Sequence, residues 1–383
     1  MITFEDNNKR KVVILSKAAW LCFNIFNLAK WGDRMDYIEK LKELTTYPAV
    51  SGYEKNLSQH IVGMFSKHCD TVQVDKFYNV IGYKSGKGDS KKKIMLTAHM
   101  DEIGFLVKSI DEKGFLKISN IGGIDPKILL AQEVIIHGQK ELFGVIGAKP
   151  PHLLKPDETK KAVKLEDLRI DTGMTGDRIR ELVSVGDLVT LKSTPLCLQG
   201  NKISSKAIDN RSGVIALLEI MKELVNINHS HDLYFVATAQ EELELTGVIT
   251  SAYSLEPDAA IVIDSCHGDM PDCPKEQTFP LGKGPAIGIG PNLHKKMTRK
   301  LIDIAKDENI SYQIDVEPGD TGTEAWATQV SRVGIPTVLI SIPVRYMHTT
   351  IETVNTGDIK NTARLAARFI GRIGAELEEI LCY

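Results

Sequence analysis

The most informative stretch of the chain is Ile94-Met95-Leu96-Thr97-Ala98-His99-Met100-Asp101, in which an apolar run leads into a histidine and an aspartate. A short, continuous apolar run is typical of a strand buried on both faces. The same order, an apolar run followed by groups that can bind metal or move protons, recurs at Leu233–Ala239, Ala259–Ile263 and Val338–Ile342. These four segments predict buried strands of one sheet.

Helical spacing of apolar residues occurs between and around these strands. The helical segments are Asp36–Leu44, Asn56–Phe65, Gly213–Leu224, Leu293–Lys306 and Ile359–Leu381. A further stretch, Thr71–Tyr83, is strand-like along its length. Alternation of strand and helix is typical of a layered α/β sheet, and we predict that fold class for the larger part of the chain.

The sequence pattern changes between about Phe105 and Cys197, where short β-rich runs are separated by Gly, Pro and charged turns. The runs are Phe105–Ile110, Phe115–Ile118, Glu133–His137, Phe143–Ile146 and Leu188–Leu191. Short strands at this spacing predict a small β-sandwich or barrel. We therefore expect an α/β catalytic domain over residues 35–104 and 204–383, interrupted by a β-rich insert over residues 105–203.

The first 34 residues fit neither domain. Val12–Ala29 is mostly apolar and follows Lys9-Arg10-Lys11, but Lys17 divides it and no small-x-small cleavage site follows. The run is also marginal in length for a membrane span. We interpret residues 1–34 as an extension that is not part of the fold, with an amphipathic partner helix and a targeting segment as the alternatives.

The composition is that of an ordinary globular protein, 43% hydrophobic and 25% charged. A formal net charge of −3, with only short and isolated basic runs, argues against a general nucleic-acid binder. Six scattered cysteines without a Cys-x-x-Cys pair favour a reducing compartment. We expect a cytoplasmic protein with no nucleic-acid partner and no stable membrane association.

Polar residues follow each of the four predicted strands. They are His99 and Asp101 after the first, Glu241 and Glu242 after the second, Asp264 after the third and His348 after the fourth, with Asp209 at the start of a helix. Singly, each has a simple structural explanation, such as a helix N-cap for Asp209 or a solvated charge pair for Glu241 and Glu242. In an open α/β sheet, however, the functional crevice lies outside the carboxyl ends of the strands, so these residues together predict a site.

Imidazoles and carboxylates in these numbers suit a dinuclear metal site. Two metal ions about 3.5–4 Å apart can act together in hydrolysis, and they need a carboxylate that bridges both. This donor set favours zinc or cobalt over calcium. A water held between the ions becomes acidic enough to attack a carbonyl, and a carboxylate that is not a ligand then takes its proton.

Five motifs occur in order along the chain. They are Thr97-Ala98-His99-Met100-Asp101-Glu102-Ile103-Gly104, Lys206-Ala207-Ile208-Asp209-Asn210-Arg211, Gln240-Glu241-Glu242, Val262-Ile263-Asp264 and Arg345-Tyr346-Met347-His348. With Ile121-Gly122-Gly123 and Gly147–His152 in the insert, they resemble the tetrahedral-assembly (TET-type) dinuclear metallo-aminopeptidases. That family includes glutamyl aminopeptidases and members labelled cellulase M or endoglucanase. The resemblance runs from about Met35 to the C-terminus.

The resemblance implies a zinc-peptidase-like catalytic domain that removes N-terminal residues from peptides by a water activated between two metal ions. One ion would be held by His99, Asp209 and Asp264, and the other by Asp209, Glu242 and His348. Asp209 would bridge the ions, Glu241 would be the general base, and Asp101 would orient His99. The insert would be a dimerisation domain. Dimers would assemble into a hollow dodecamer whose chamber admits unfolded peptides with free N-termini.

Three features depart from the family's pattern. Glu244 stands where glycine is usual, two residues after Glu242, and Glu324 stands where aspartate is commoner. The turn Ser265-Cys266-His267-Gly268-Asp269 is one residue short, and His267 within it is a competing candidate ligand. None of these removes a proposed ligand, but they bear on the shape of the pocket and therefore on specificity.

Other functions remain open at this point. A deacylase or carboxypeptidase on the same scaffold would need a cation for the substrate carboxylate, for which Arg211 and Arg345 are candidates. An endoglucanase would use paired carboxylates, but Glu241 and Glu242 are adjacent in sequence and that chemistry needs no histidine. A module that had lost catalysis would be expected to lack ligands, whereas every one is present.

Overall fold

The computed structural model describes residues 3–5, 11–13, 37–89, 91–153 and 162–381. Near the N-terminus, strands β1 (Thr3–Glu5) and β2 (Lys11–Val13) pair antiparallel with each other. Most of residues 1–34, with most of the apolar run Val12–Ala29, lies outside the described residues, so the interpretation of this extension stays a prediction. No helix among the described residues is long and apolar enough to cross a membrane.

The rest of the described chain forms helices and strands. The helices are α1 (37–46), α2 (Lys55–Phe65), α3 (Gly176–Arg180), α4 (Ile208–Glu223), α5 (Thr246–Leu255), α6 (Lys295–Asp307), α7 (Glu324–Gln329), α8 (Thr356–Ile373) and α9 (Leu377–Leu381). The strands are β3 (Thr71–Val74), β4 (Val80–Lys84), β5 (Lys93–His99), β6 (Gly104–Ile110), β7 (Leu116–Ile121), β8 (Glu133–His137), β9 (Glu141–Gly147), β10 (Arg169–Asp171), β11 (Leu188–Leu191), β12 (Leu196–Leu198), β13 (Lys202–Ser205), β14 (Asp232–Thr238), β15 (Ala259–His267), β16 (Ala286–Ile289), β17 (Gln313–Val316), β18 (Thr337–Arg345) and β19 (Glu352–Asn355).

Eleven of these strands form one sheet in the order β12-β13-β19-β18-β15-β5-β14-β4-β3, with β16 paired to β18 and β17 paired to β16. Its centre consists of β18, β15, β5 and β14, which are parallel to one another. These are the four strands that the apolar runs predict. Antiparallel pairs flank them, β4 with β3 on one side and β19 with β13 on the other.

Helices cover both faces of the sheet. Because successive side chains of a strand point to opposite faces, Ile94, Leu96 and Ala98 of β5 pack into a large core with residues of α4, α6 and α8. Met95 packs on the other face with Val248 of α5 and with α7. The predicted layered α/β fold is therefore confirmed, with one helical layer on each side of the sheet.

The remaining strands close into a six-stranded barrel in the order β10-β7-β6-β11-β8-β9, which confirms a small β-rich unit inserted into the α/β fold. Alternation along β9 shows how it packs, since Leu142 and Ile146 are buried in the barrel core while Phe143 and Val145 are exposed. The barrel strands lie between Gly104 and Leu191, and the next two strands, β12 and β13, belong to the large sheet.

The closing helix differs from the prediction, which ran from Ile359 to Leu381 without a break. In the structure α8 ends at Ile373, and Gly374 adopts φ 13° and ψ −121°, outside the helical region. Its carbonyl oxygen accepts a hydrogen bond from His231 Nε2 at 2.7 Å. Glycine tolerates this conformation at little steric cost, so the chain turns there before α9 begins.

Candidate metal centre

The parallel strands bring two predicted residues together at the carboxyl edge of the sheet. His99 is the last residue of β5, and Asp264 lies in the neighbouring strand β15. Because Thr97 pairs with Val262, the residues two positions further along each strand, His99 and Asp264, are side by side. His99 Nε2 is 3.7 Å from Asp264 Oδ1.

Glu241 and Glu242 lie in the turn that follows β14, and Asp101 holds that turn. The Asp101 carboxylate is fully buried, and its Oδ1 and Oδ2 accept the backbone N–H groups of Glu241 and Glu242, each at 3.1 Å. Oδ1 also lies 3.4 Å from His99 Nδ1. One carboxylate therefore contacts both the turn and the histidine that it was predicted to orient.

Asp209 reaches the same edge from the start of α4. The N-cap position of α4 is Ala207, which has φ 56°, and Asp209 itself has ψ 106°, outside helical geometry. The side chain of Asn210, and not that of Asp209, caps the helix, because the Asn210 Oδ1 accepts the Gly213 N–H at 3.0 Å. Its Oδ1 lies 3.4 Å from His99 Nε2, and its Oδ2 lies 3.4 Å from His348 Nε2.

The predicted residues form two groups of candidate metal ligands. His99, Glu241 and Asp264 make up the first, and Asp209, Glu242 and His348 the second; in each group the ligand atoms lie within 4.8 Å of one another. Within the second group, His348 Nε2 lies 3.1 Å from Glu242 Oε1. The first group thus contains Glu241, the predicted base, where Asp209 was predicted as a ligand; Glu241 Oε2 lies 3.9 Å and Asp209 Oδ1 3.4 Å from His99 Nε2.

Burial and crowding of carboxylates shift the ionisation of the site strongly. Burial raises the pKa of Glu241 to about 10 and that of Asp264 to about 8, and neighbouring carboxylates add to both shifts. Although burial opposes it, hydrogen bonds with Asp209 and Glu242 raise the pKa of His348 to about 11. The site thus gathers carboxyl groups in a desolvated pocket, where Glu241 and Asp264 hold their protons at neutral pH.

His348 is held by two contacts that sequence reasoning missed. Its Nδ1 lies 2.7 Å from the carbonyl oxygen of Gly123, which can only accept a hydrogen bond, so Nδ1 carries the hydrogen and Nε2 faces Asp209. Its backbone N–H donates to Glu352 Oε1 at 2.8 Å. The sequence offered two faint signals, the double glycine that contains Gly123 and the four-residue spacing from His348 to Glu352.

Two of the departures from the family's pattern have a structural explanation. Glu324 is buried at the start of α7, where it accepts a hydrogen bond from the Thr238 hydroxyl, and its backbone N–H lies 3.4 Å from Asp264 Oδ2. Glu244 is exposed and adopts φ 127°, a conformation that favours glycine. The turn thus has the backbone conformation that glycine favours, although a glutamate stands there.

The competing ligand and the two arginines lie apart from the metal groups. His267 is the exposed last residue of β15 and belongs to neither group. Arg211 is fully buried, and its partners are Glu102 and the carbonyl oxygens of Leu44, Tyr47 and Met100. Arg345 pairs with Asp269. Both guanidinium groups are therefore already engaged within the protein.

Comparison with known proteins agrees with this geometry. The sequence matches the M42 glutamyl aminopeptidase family over residues 79–365. Lysyl aminopeptidase of Pyrococcus furiosus is 32% identical over 333 residues, which cover 86% of this chain and 95% of that protein.

Two solved structures are similar over nearly their whole length. An aminopeptidase of the archaeon Desulfurococcus kamchatkensis has a TM-score of 0.84 and 36% identity, covering 91% of this chain and 97% of its own. The TET1 peptidase of Pyrococcus horikoshii has a TM-score of 0.76 and 33% identity, covering 88% and 99%. On the strength of the family match and of these relatives, the chain belongs to the M42 glutamyl aminopeptidase family.

Proposed function

We propose that the chain is a dinuclear metallo-aminopeptidase that removes N-terminal residues from peptides, with Glu241 as general base. The observation that carries the proposal is the position of Asp209, whose two carboxylate oxygens each lie 3.4 Å from a different histidine, His99 and His348. A carboxylate placed in this way can bridge two metal ions. Membership of an aminopeptidase family supports the same conclusion.

The residues of the site fit two divalent cations. The donor atoms are imidazole nitrogens and carboxylate oxygens, a set that suits zinc or cobalt. Repulsion among the buried carboxylates is relieved when cations bind between them. We propose His99, Asp209 and Asp264 as ligands of one ion, and Asp209, Glu242 and His348 as ligands of the other. Such ions polarise the scissile carbonyl and lower the pKa of the attacking water.

Glu241 would carry the proton during the reaction. Its Oε2 would accept the proton of the attacking water and pass it to the leaving amine. Its backbone N–H is fixed by Asp101 Oδ1 at 3.1 Å, while 13% of its side chain is exposed toward the solvent side of the site. Asp101 would act through its neighbours, because it holds this turn and lies against His99 Nδ1.

The charge of the site favours a substrate with a free α-ammonium group. A carboxypeptidase or deacylase would need a cation for the substrate carboxylate, and the two candidates, Arg211 and Arg345, are paired with Glu102 and Asp269. An endoglucanase would need two carboxylates on opposite sides of one bond. Here the adjacent Glu241 and Glu242 belong to separate ligand groups. These observations support the aminopeptidase over its alternatives.

We also propose a domain assignment and an assembly. Residues 35–104 and 204–383 would form the catalytic domain, and the insert over residues 105–203 would join two chains into a dimer, with dimers forming a dodecamer. The TET1 peptidase of Pyrococcus horikoshii is described as assembling into a tetrahedron or a large octahedral shell, which supports this proposal. Free thiols at Cys69, Cys197, Cys266 and Cys273 support a reducing, cytoplasmic location. Light scattering on the purified protein tests the assembly, and a stable monomer would contradict it.

A panel of chromogenic aminoacyl substrates, run on chelated protein with added zinc, cobalt or manganese, tests the proposed function. We expect chelation to abolish hydrolysis, and zinc or cobalt to restore it. N-acetylated forms of the same substrates should not be cleaved, because they lack the α-ammonium group. Full activity of metal-free protein, or equal cleavage of acetylated and free substrates, would overturn the proposal. A reducing-sugar assay on the same metal-loaded sample checks the endoglucanase alternative.

A further inference from the structure

Glu352 is a buried carboxylate whose two oxygens have one backbone partner each. Only 2% of the residue is exposed. Oε1 accepts the backbone N–H of His348 at 2.8 Å, and Oε2 accepts the backbone N–H of Asp209 at 3.0 Å. One side chain therefore ties together two candidate ligands whose backbones belong to widely separated segments of the chain.

We propose that Glu352 is a positioning residue that sets the second ligand group by fixing the backbones of Asp209 and His348 relative to each other. This inference rests on the proposed function, since it assigns Glu352 a role in holding the metal that Asp209, Glu242 and His348 would bind.

The backbone at both ligands needs such an anchor. Asp209 follows Ala207, which has φ 56°, and has ψ 106° itself, while His348 has φ 61°, so neither residue lies in regular helix or strand geometry. Glu352, by contrast, is in β19, where it pairs with Ser205 of β13. The sheet thus holds the carboxylate in place, and the carboxylate holds the two irregular segments.

The first ligand group is held in a different way. His99 and Asp264 are in β5 and β15, whose parallel pairing fixes their backbones directly. The loss of Glu352 should therefore weaken the second metal site far more than the first. Removing a partner that orients a metal ligand typically lowers metal affinity about 10–100-fold.

Glu352→Gln is the informative substitution, because the two side chains have the same shape. The amide has a single acceptor oxygen, and its nitrogen can only donate, so one of the two backbone N–H groups loses its partner. Asp358→Asn is the matched control. Asp358 is fully buried in α8, and its two oxygens accept the backbone N–H groups of Gly282 and Gly284 at 2.6 and 2.8 Å, in contacts separate from those of the ligand groups.

The experiment is a calorimetric titration of chelated full-length protein with zinc chloride, for wild type and both variants. We expect wild type and Asp358→Asn to bind two ions alike. Glu352→Gln should bind the ion of the second group, which loses support at both Asp209 and His348, about 10–100-fold more weakly, and should bind the first ion, which shares only Asp209, with a clearly smaller loss. Its kcat should recover as zinc is raised, with substrate KM close to wild type. Glu352→Asp, which keeps both acceptor oxygens, should lie between wild type and Glu352→Gln, and it serves as the second variant if the glutamine variant folds poorly.

Three outcomes would overturn the inference. In the first, Glu352→Gln binds both ions within twofold of wild type. In the second, Asp358→Asn loses the same site to the same degree, which would indicate a general effect of removing a buried carboxylate. In the third, wild-type protein binds neither zinc nor, in a parallel titration, cobalt, and the proposed function then falls together with the inference.

Discussion

Replacing Glu241 by glutamine should remove most of the activity and leave the protein folded and able to bind metal. The Glu241 carboxylate is largely buried, with Asp264, Glu242 and Asp101 around it, and burial and these neighbours raise its pKa to about 10. At neutral pH, below that value, the metal-free protein must keep this side chain protonated, which costs stability above the unfolded pKa, and a neutral amide of the same shape avoids that cost. The metal-free variant should therefore melt at or above the temperature of the metal-free wild type.

The size of the activity loss follows from the proposed role. A positioned general base typically contributes about 10²–10⁴-fold to the rate, which corresponds to about 2.7–5.4 kcal/mol of transition-state stabilisation. Because Glu241 would move a proton and not hold the substrate, the loss should fall on kcat and leave KM close to its wild-type value.

The assay measures kcat and KM on a chromogenic aminoacyl substrate, together with the metal content of the same samples by mass spectrometry. Glu244→Gln is the matched control, since Glu244 lies in the same turn but is exposed, and it should retain wild-type kcat. A fully metal-loaded Glu241→Gln enzyme that keeps kcat within tenfold of wild type would refute the role of Glu241. A variant that lost its metal as well would show that Glu241 is a metal ligand. This outcome has to be tested, because Glu241 Oε2 lies only 3.9 Å from His99 Nε2.

Three further changes test the fold. Arg211→Met removes one of the two cations that pair with buried Glu102, the other being Lys206, and also removes the Arg211 hydrogen bonds to three carbonyl oxygens. Denaturant unfolding should show a loss of about 3–5 kcal/mol, and a loss below about 1 kcal/mol would contradict the buried network. Phe105→Ala opens a cavity in the barrel core and should cost about 3–5 kcal/mol by the same measurement, while an unchanged midpoint would place Phe105 outside that core. His294 caps α6, because its Nδ1 accepts the Met297 N–H, and burial lowers the pKa of its imidazole. The cap therefore stabilises the folded protein above the unfolded pKa of about 6.5, and this stabilisation is lost as the pH falls through the folded pKa. The melting temperature of wild type should therefore fall more than that of His294→Asn between about pH 7.5 and pH 5; parallel falls would contradict this.

The central strands could be predicted from sequence because each is buried on both faces. Such strands are continuous apolar runs, and the runs at Ile94, Leu233, Ala259 and Val338 all lie in the parallel centre of the sheet. The predicted strand at Ala259–Ile263 ends too early, because the prediction relied on the apolar run alone. Asp264 interrupts the apolar run because it faces the metal groups, yet the strand continues to His267 through its pairing with β18.

The flanking strands carried weaker signals. Thr71–Tyr83, strand-like throughout in the sequence, is a hairpin of β3 and β4 in the structure. Asp75 makes the turn, because its Oδ1 accepts the backbone N–H groups of Phe77 and Asn79. A turn made by a side chain that accepts hydrogen bonds from the neighbouring backbone cannot be predicted from the pattern of apolar residues.

The contacts that position the ligands were beyond the reach of pattern reasoning. The bond from Asp209 to Glu352 joins residues 143 positions apart, and that from His348 to Gly123 joins residues 225 positions apart. Periodicity describes one element at a time, whereas these contacts depend on how the insert and β19 come to lie against the sheet edge. Ligands at strand ends could therefore be predicted, while their supports could not.

The chain has a formal net charge of only −3, yet many carboxylates lie together in one pocket. Bound cations would balance their charge. Asp101, Asp209, Glu241, Glu242 and Asp264 would carry five negative charges if all were ionised, with His99 and His348 beside them. Two divalent cations supply four positive charges, close to what this set requires. Without cations, burial and neighbouring carboxylates raise the pKa of Glu241 to about 10 and that of Asp264 to about 8, so these two groups take up protons at neutral pH. Metal loading and the ionisation that catalysis needs are therefore the same event, and chelation should remove both together.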